Sequence, residues 1–251
     1  MMHVALLVYF ITVIIIVKHV SAAVRQHDGP LATNSSCQSL VTTELIDRGR
    51  CDCFQQVLEI RCQGLTAVPR FSGFDAVFAA VHMANQSIRA LRSGVFADLP
   101  TRRLVLSFND IEDRMDASAF GGNLSEVVRE LYLGACRLTA LPAGLLDNMH
   151  QLVTLHLWHN NIREIPAPLF VNCCGSLREL LLSHNLITSL DADTFTALRN
   201  LRKLDLDSNR ISSLSPDLFN GLGNLRVTSL FRYILASVQK RQSSPYSTKR
   251  A

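Results

Sequence analysis

The chain is short of almost everything that marks an enzyme. It has no G-x-S-x-G, H-E-x-x-H, phosphate-loop or G-x-G-x-x-G string, so the common nucleophile, zinc-protease and nucleotide frameworks have no starting point. Its acidic residues are scattered along the chain rather than paired, and no set of residues points to a metal or a cofactor. A charge excess is missing too. With 25 Lys and Arg against 21 Asp and Glu, the net charge of +4 is too weak to argue for nucleic acid. Long apolar runs are scarce: Val4–Val17, interrupted by Thr12, is too short to span a bilayer as a helix. Tryptophan occurs once, at Trp158.

That one apolar run is the right length for the hydrophobic region of a secretory leader, and Val20-Ser21-Ala22-Ala23 supplies small residues for cleavage. Residues 1–23 are therefore expected to be a signal peptide and residues 24–36 a short linker. No membrane span is expected after its removal. The absence of Lys and Arg ahead of the run keeps an uncleaved N-terminal anchor as the alternative.

The body of the chain repeats itself. LHLWHNNIREIPAPLF from Leu155, LLLSHNLITSLDADTF from Leu180 and LDLDSNRISSLSPDLF from Leu204 all read L-x-L-x-x-N-x-I-x-x-(L/I), with a phenylalanine closing each segment. Further copies start at Leu58, Val81, Leu104 and Leu131. Leucines at alternate positions lie on one face of a short strand, and such a strand buries that face only by stacking on the next copy. Asn109, Asn160, Asn185 and Asn209 hold the sixth position, where an amide can satisfy turn backbone groups. Cys136 takes that place once, and Gln63 and Gln86 stand in for it earlier. Phe96, Phe120, Phe170, Phe195 and Phe219, with Leu146, are expected to form an internal stack. The extra residues of the copy before Leu131, within 121–129, read as a bulging loop.

These motifs resemble the leucine-rich-repeat family, in its extracellular form of about 24 residues per repeat; secreted matrix, Slit-like and Toll-ectodomain-like proteins share the pattern. The loose first repeat and long third stride are also similar to the non-catalytic repeat subunit of a secreted luciferin monooxygenase, which would imply a stabilising partner for a catalytic chain. The resemblance implies an α/β solenoid over residues 58–238, with a parallel sheet on its concave face and short 3-10 or irregular segments on the convex one. Residues 37–62 are similar to a cysteine-rich N-terminal cap, which by that likeness would pair Cys37 with Cys53 and Cys51 with Cys62; the four cysteines alone leave three connectivities open. Thr228 and Tyr233 break the pattern of a last copy, which reads either as a cap or as the truncation of a longer protein. Residues 239–251 form a basic polar tail, expected to be disordered.

Entry to the secretory pathway also makes the sequons at Asn34, Asn85 and Asn123 candidate glycosylation sites. Adjacent Cys173 and Cys174 have no obvious partner; a bridge between neighbours is strained and uncommon, which leaves buried thiols or a disulfide-linked dimer. Between the inward leucines, two columns of side chains point out of the sheet. Their centre is apolar and aromatic: Val105, Phe108, Tyr132, His156, Trp158 and Leu181. Asp205 and Asp207 flank it, and His159 and His184 lie beside it. Exposed aromatics rimmed by polar groups mark hot spots, so the expected function is non-catalytic recognition of an extracellular protein on this face. A truncated receptor ectodomain and a matrix protein are the alternatives.

Overall fold

A computed structural model of the chain describes residues 51–54, 57–71 and 76–229. The expected leader, the linker, Cys37, Asn34 and the C-terminal tail lie outside them. The described residues form a parallel solenoid of about seven turns with little helix. Nine short strands make one sheet in strict chain order: β1 (Cys51–Phe54), β2 (Glu59–Cys62), β3 (Ala80–His82), β4 (Arg103–Val105), β5 (Glu130–Tyr132), β6 (Thr154–His156), β7 (Glu179–Leu181), β8 (Lys203–Asp205) and β9 (Val227–Ser229). β1 runs antiparallel to β2, and each later strand is parallel to the one before.

Register follows the leucines. Leu104, Leu131, Leu155, Leu180 and Leu204 pair in sequence across the sheet. They and the second leucines (Leu106, Leu133, Leu157, Leu182, Leu206) are almost fully buried, each burial worth roughly 1.5–3 kcal/mol. Behind them Phe96 stacks on Phe120 at 5.6 Å and Phe170 meets Phe195 at 6.2 Å, with Leu146 buried between the pairs in sequence.

The sixth-position amides close each turn in the same way. Asn160 accepts at Oδ1 from the Cys136 and Leu138 N–H groups and donates from Nδ2 to the Leu133 and Leu157 carbonyls. Asn109, Asn185 and Asn209 repeat the arrangement. Gln86 does a similar service, accepting from Leu65 N–H. Cys136 donates its thiol to the Leu106 carbonyl at 3.2 Å, and burial pushes its pKa up to about 12.

The structure departs from the sequence reading at three places here. The first repeat does not start at Leu58. Ile60 pairs with Val81, and the inward residues of β2 are Ile60 and Cys62, while Leu58 is exposed and Gln63 serves no ladder. The cause is the β1–β2 hairpin, in which Cys51 lies opposite Cys62 and is disulfide-bonded to it; that bond fixes Cys62 inward. Second, the expected bulge at 121–129 contains a short helix, α1 (Asn123–Val127), and Leu124 and Val128 are fully buried. The extra residues therefore add to the core. Third, Cys173 and Cys174 are bonded to each other and buried. While that bond is intact neither sulfur can link a second chain.

Candidate functional site

The open face of the sheet is built from the residues between the inward leucines. One column runs Arg61, His82, Val105, Tyr132, His156, Leu181, Asp205 along adjacent strands. Arg61 heads this column because the register of β2 pairs it with His82. Glu59, Arg103, Glu130, Glu179 and Lys203 belong to a second column on the other side of the inward residues. This charged column went unread in the sequence, although its residues of both signs stand at the position before each inward leucine.

Its members pair with each other and with the first column. Arg103 grips Glu130 through Nε at 2.6 Å and Nη2 at 3.0 Å, and the Tyr132 hydroxyl donates to the same carboxylate at 2.7 Å. Burial opposes the Glu130 charge, but these hydrogen bonds outweigh it and hold its pKa below the usual range. Burial and Glu130 together push the Tyr132 phenol up to about 12. Lys203 binds Glu179 at 2.9 Å. His156 Nε2 lies 3.4 Å from the Glu179 carboxylate without forming a hydrogen bond. Burial dominates for His156 and lowers its pKa, as it does for His82.

The aromatic part sits where the strands turn. In each repeat the residue before the sixth position takes a left-handed backbone: Asn85, Phe108, Ala135, His159, His184 and Ser208 have φ between 53° and 62°. This conformation is uncommon for bulky side chains and costs on the order of 1 kcal/mol. It is held by the cross-repeat ladder, in which Phe108, His159 and His184 N–H donate to the Gly134, Ser183 and Asp207 carbonyls. The same turn sets their rings in a row. His159 and His184 stack nearly parallel at 4.1 Å, and Trp158 meets His159 and Phe108 edge-on at 5.4 and 5.5 Å. Burial, then His184, lowers the pKa of His159 to about 4. Tyr132 and His156 form a separate edge-on pair at 4.6 Å.

Trp158 was expected to be exposed, and the structure corrects this: the indole is half-buried. It lies across Gly134 of the preceding strand's turn, where a Cβ would come within 2.5 Å of the ring. Gly134 is thus the seat of the indole, and sequence reading assigned it no role. Val105, Leu181, Asp205 and Asp207 are also half-buried on this face. His156 lies in another column from the stacked His159 and His184, and among the described residues no group of three His, Cys, Asp or Glu side chains is arranged to hold a metal. Asn85 and Asn123 are exposed; Ser125, the hydroxyl of the Asn123 sequon, is buried and donates to the Gly122 carbonyl.

Comparison with known proteins agrees with the solenoid. Residues 175–231 and 151–173 match two family models, both described as leucine-rich repeat. The chain is 31% identical over 145 residues to human leucine-rich repeat-containing G-protein coupled receptor 6, covering 57% of this chain and 14% of the receptor. It is 29% identical over 92 residues to bovine leucine-rich repeat-containing protein 3B, covering 34% of this chain and 36% of that protein. A chain of the Drosophila Toll–Spatzle complex superposes with a TM-score of 0.51 at 22% identity, covering 67% of this chain and 26% of the other. The chain thus spans a minor part of each relative's length.

Proposed function

We propose that this leucine-rich-repeat solenoid is a secreted, non-catalytic binding module that recognises an extracellular protein through the open, concave face of its sheet. The observation that carries the reading is the row Phe108–Trp158–His159–His184: ring contacts and the Gly134 seat fix its side chains before any partner arrives. Side chains already ordered lose less entropy on binding, which is how a small aromatic patch becomes a hot spot. Tyr132, His156, Leu181 and Val105 extend the apolar centre, and Asp205 and Asp207 form its acidic margin. Glycans on Asn34, Asn85 and Asn123 accompany this reading.

The test is affinity capture from the native extracellular fluid with the wild-type chain and with Trp158→Ala and Tyr132→Ala. Loss of the captured protein with either variant supports the reading; equal recovery moves the site elsewhere. A second reading, a piece of a receptor ectodomain, is favoured by the likeness to a receptor of which this chain covers 14%. In-frame repeats encoded beyond Val227 would support it. The intrachain Cys173–Cys174 bond removes the motive for a crosslinked matrix role through these residues. A stabilising role beside a catalytic chain would show as loss of that chain's activity on removing this one.

A further inference from the structure

We infer that the partner presents an arginine two residues from an aromatic or aliphatic side chain, with the arginine on Asp205 and Asp207 and the apolar residue on Trp158. The inference rests on the proposed binding face and adds the chemistry of what it binds.

The open face is almost charge-neutral by its own pairing. Glu59 holds Arg61 at 3.0 Å, Glu130 holds Arg103, and Glu179 holds Lys203. Asp205 and Asp207 stand apart: neither has a cationic partner among the described residues. Asp205 Oδ1 accepts only from the Asp207 N–H, and Asp207 Oδ2 from the Ser208 hydroxyl. Both are half-buried, and a planar guanidinium with its fork of donors can serve two carboxylates in a way that a point charge does not.

The spacing follows from the sheet. Trp158, Ser183 and Asp207 each lie two residues beyond a paired position, His156, Leu181 and Asp205, on consecutive strands. Two strand spacings set the indole and the carboxylates about 10 Å apart. Ser183 between them is buried, so the floor is low there. An extended peptide rises about 3.3 Å per residue and turns every second side chain to one face, so residues two apart, about 6.6 Å, face the sheet together and the long arginine side chain spans the rest. Lining the far side, the stacked His159 and His184 add rings.

The experiment is selection of tryptophan-free peptides from a displayed random library on the immobilised full chain, repeated on Asp205→Asn/Asp207→Asn and on Trp158→Ala. Circular dichroism of each variant checks that it folds. Enriched peptides should carry arginine at the stated offset, and their binding should fall about tenfold or more on the double Asn variant and weaken with salt. Because Trp158 is the chain's single tryptophan, the same peptides should shift its emission. Peptides that need Trp158 but show no arginine preference would overturn the inference and leave the binding face standing. Peptides indifferent to both variants would overturn the face as well. Failure to enrich any peptide overturns the arginine inference, while the capture experiment with Trp158→Ala still judges the face.

Discussion

At Gly134 and Asn160 single atoms decide what a repeat can do. Trp158 lies where a Cβ on residue 134 would stand 2.5–2.9 Å from three of its atoms. In Gly134→Ala the indole has to swing off the sheet, because the neighbouring strand is fixed by its ladder. We expect a stability loss of about 1–3 kcal/mol and a red shift of the only tryptophan emission, both read in one urea titration. Asn160 serves two donors and two acceptors that are all buried. Asn160→Ala leaves them without partners and should cost about 3–5 kcal/mol. Cys136→Ala, which removes one weak thiol donor, should cost about 1–2 kcal/mol in the same assay.

The imidazoles make a prediction for pH. His159 has a folded pKa near 4 against 6.5 for the free side chain, through burial and then His184. The unfolded chain therefore binds the proton more readily, so stability is full above pH 6.5 and declines as pH falls towards 4. His82 and His156 are shifted in the same direction by burial. Since His159 is half exposed, its share is about 1 kcal/mol rather than the whole shift. Thermal melts between pH 7 and pH 4 should show the decline, and His159→Phe should flatten part of it.

Elements are where the sequence was easiest and hardest to read. The leucine pattern placed every strand from β3 to β8, because alternate burial admits one register and a one-residue slip would turn each leucine to water. It failed at β2, where Leu58, Ile60 and Cys62 offered two apolar frames and only the hairpin partner Cys51 chooses between them. It failed again at α1, since Gly121-Gly122-Asn123 reads as a turn while Leu124 and Val128 are what the core takes. The ring row was half legible. Its members were visible in the columns, but nothing in the residue types announces a left-handed backbone at Phe108, His159 and His184, or a seat at Gly134. At this scale we expect replacing Cys51 and Cys62 by serine to remove about 3 kcal/mol, the closure entropy of an 11-residue separation. Differential scanning calorimetry of the two forms would measure it.

At the scale of the whole stack, each described turn touches only its neighbours, so the solenoid transmits order along the stack, and no other described element covers the open face of the sheet. Three carboxylates of that face are neutralised from within, whereas the aromatic row and the two aspartates remain for something outside. The most direct measurement is acrylamide quenching of Trp158 in the free chain and in complex with its captured partner. The free chain should be partly quenched, as befits a half-buried indole, and the complex should be shielded. Equal quenching in the two states would mean that the partner binds away from Trp158, contrary to the proposed face.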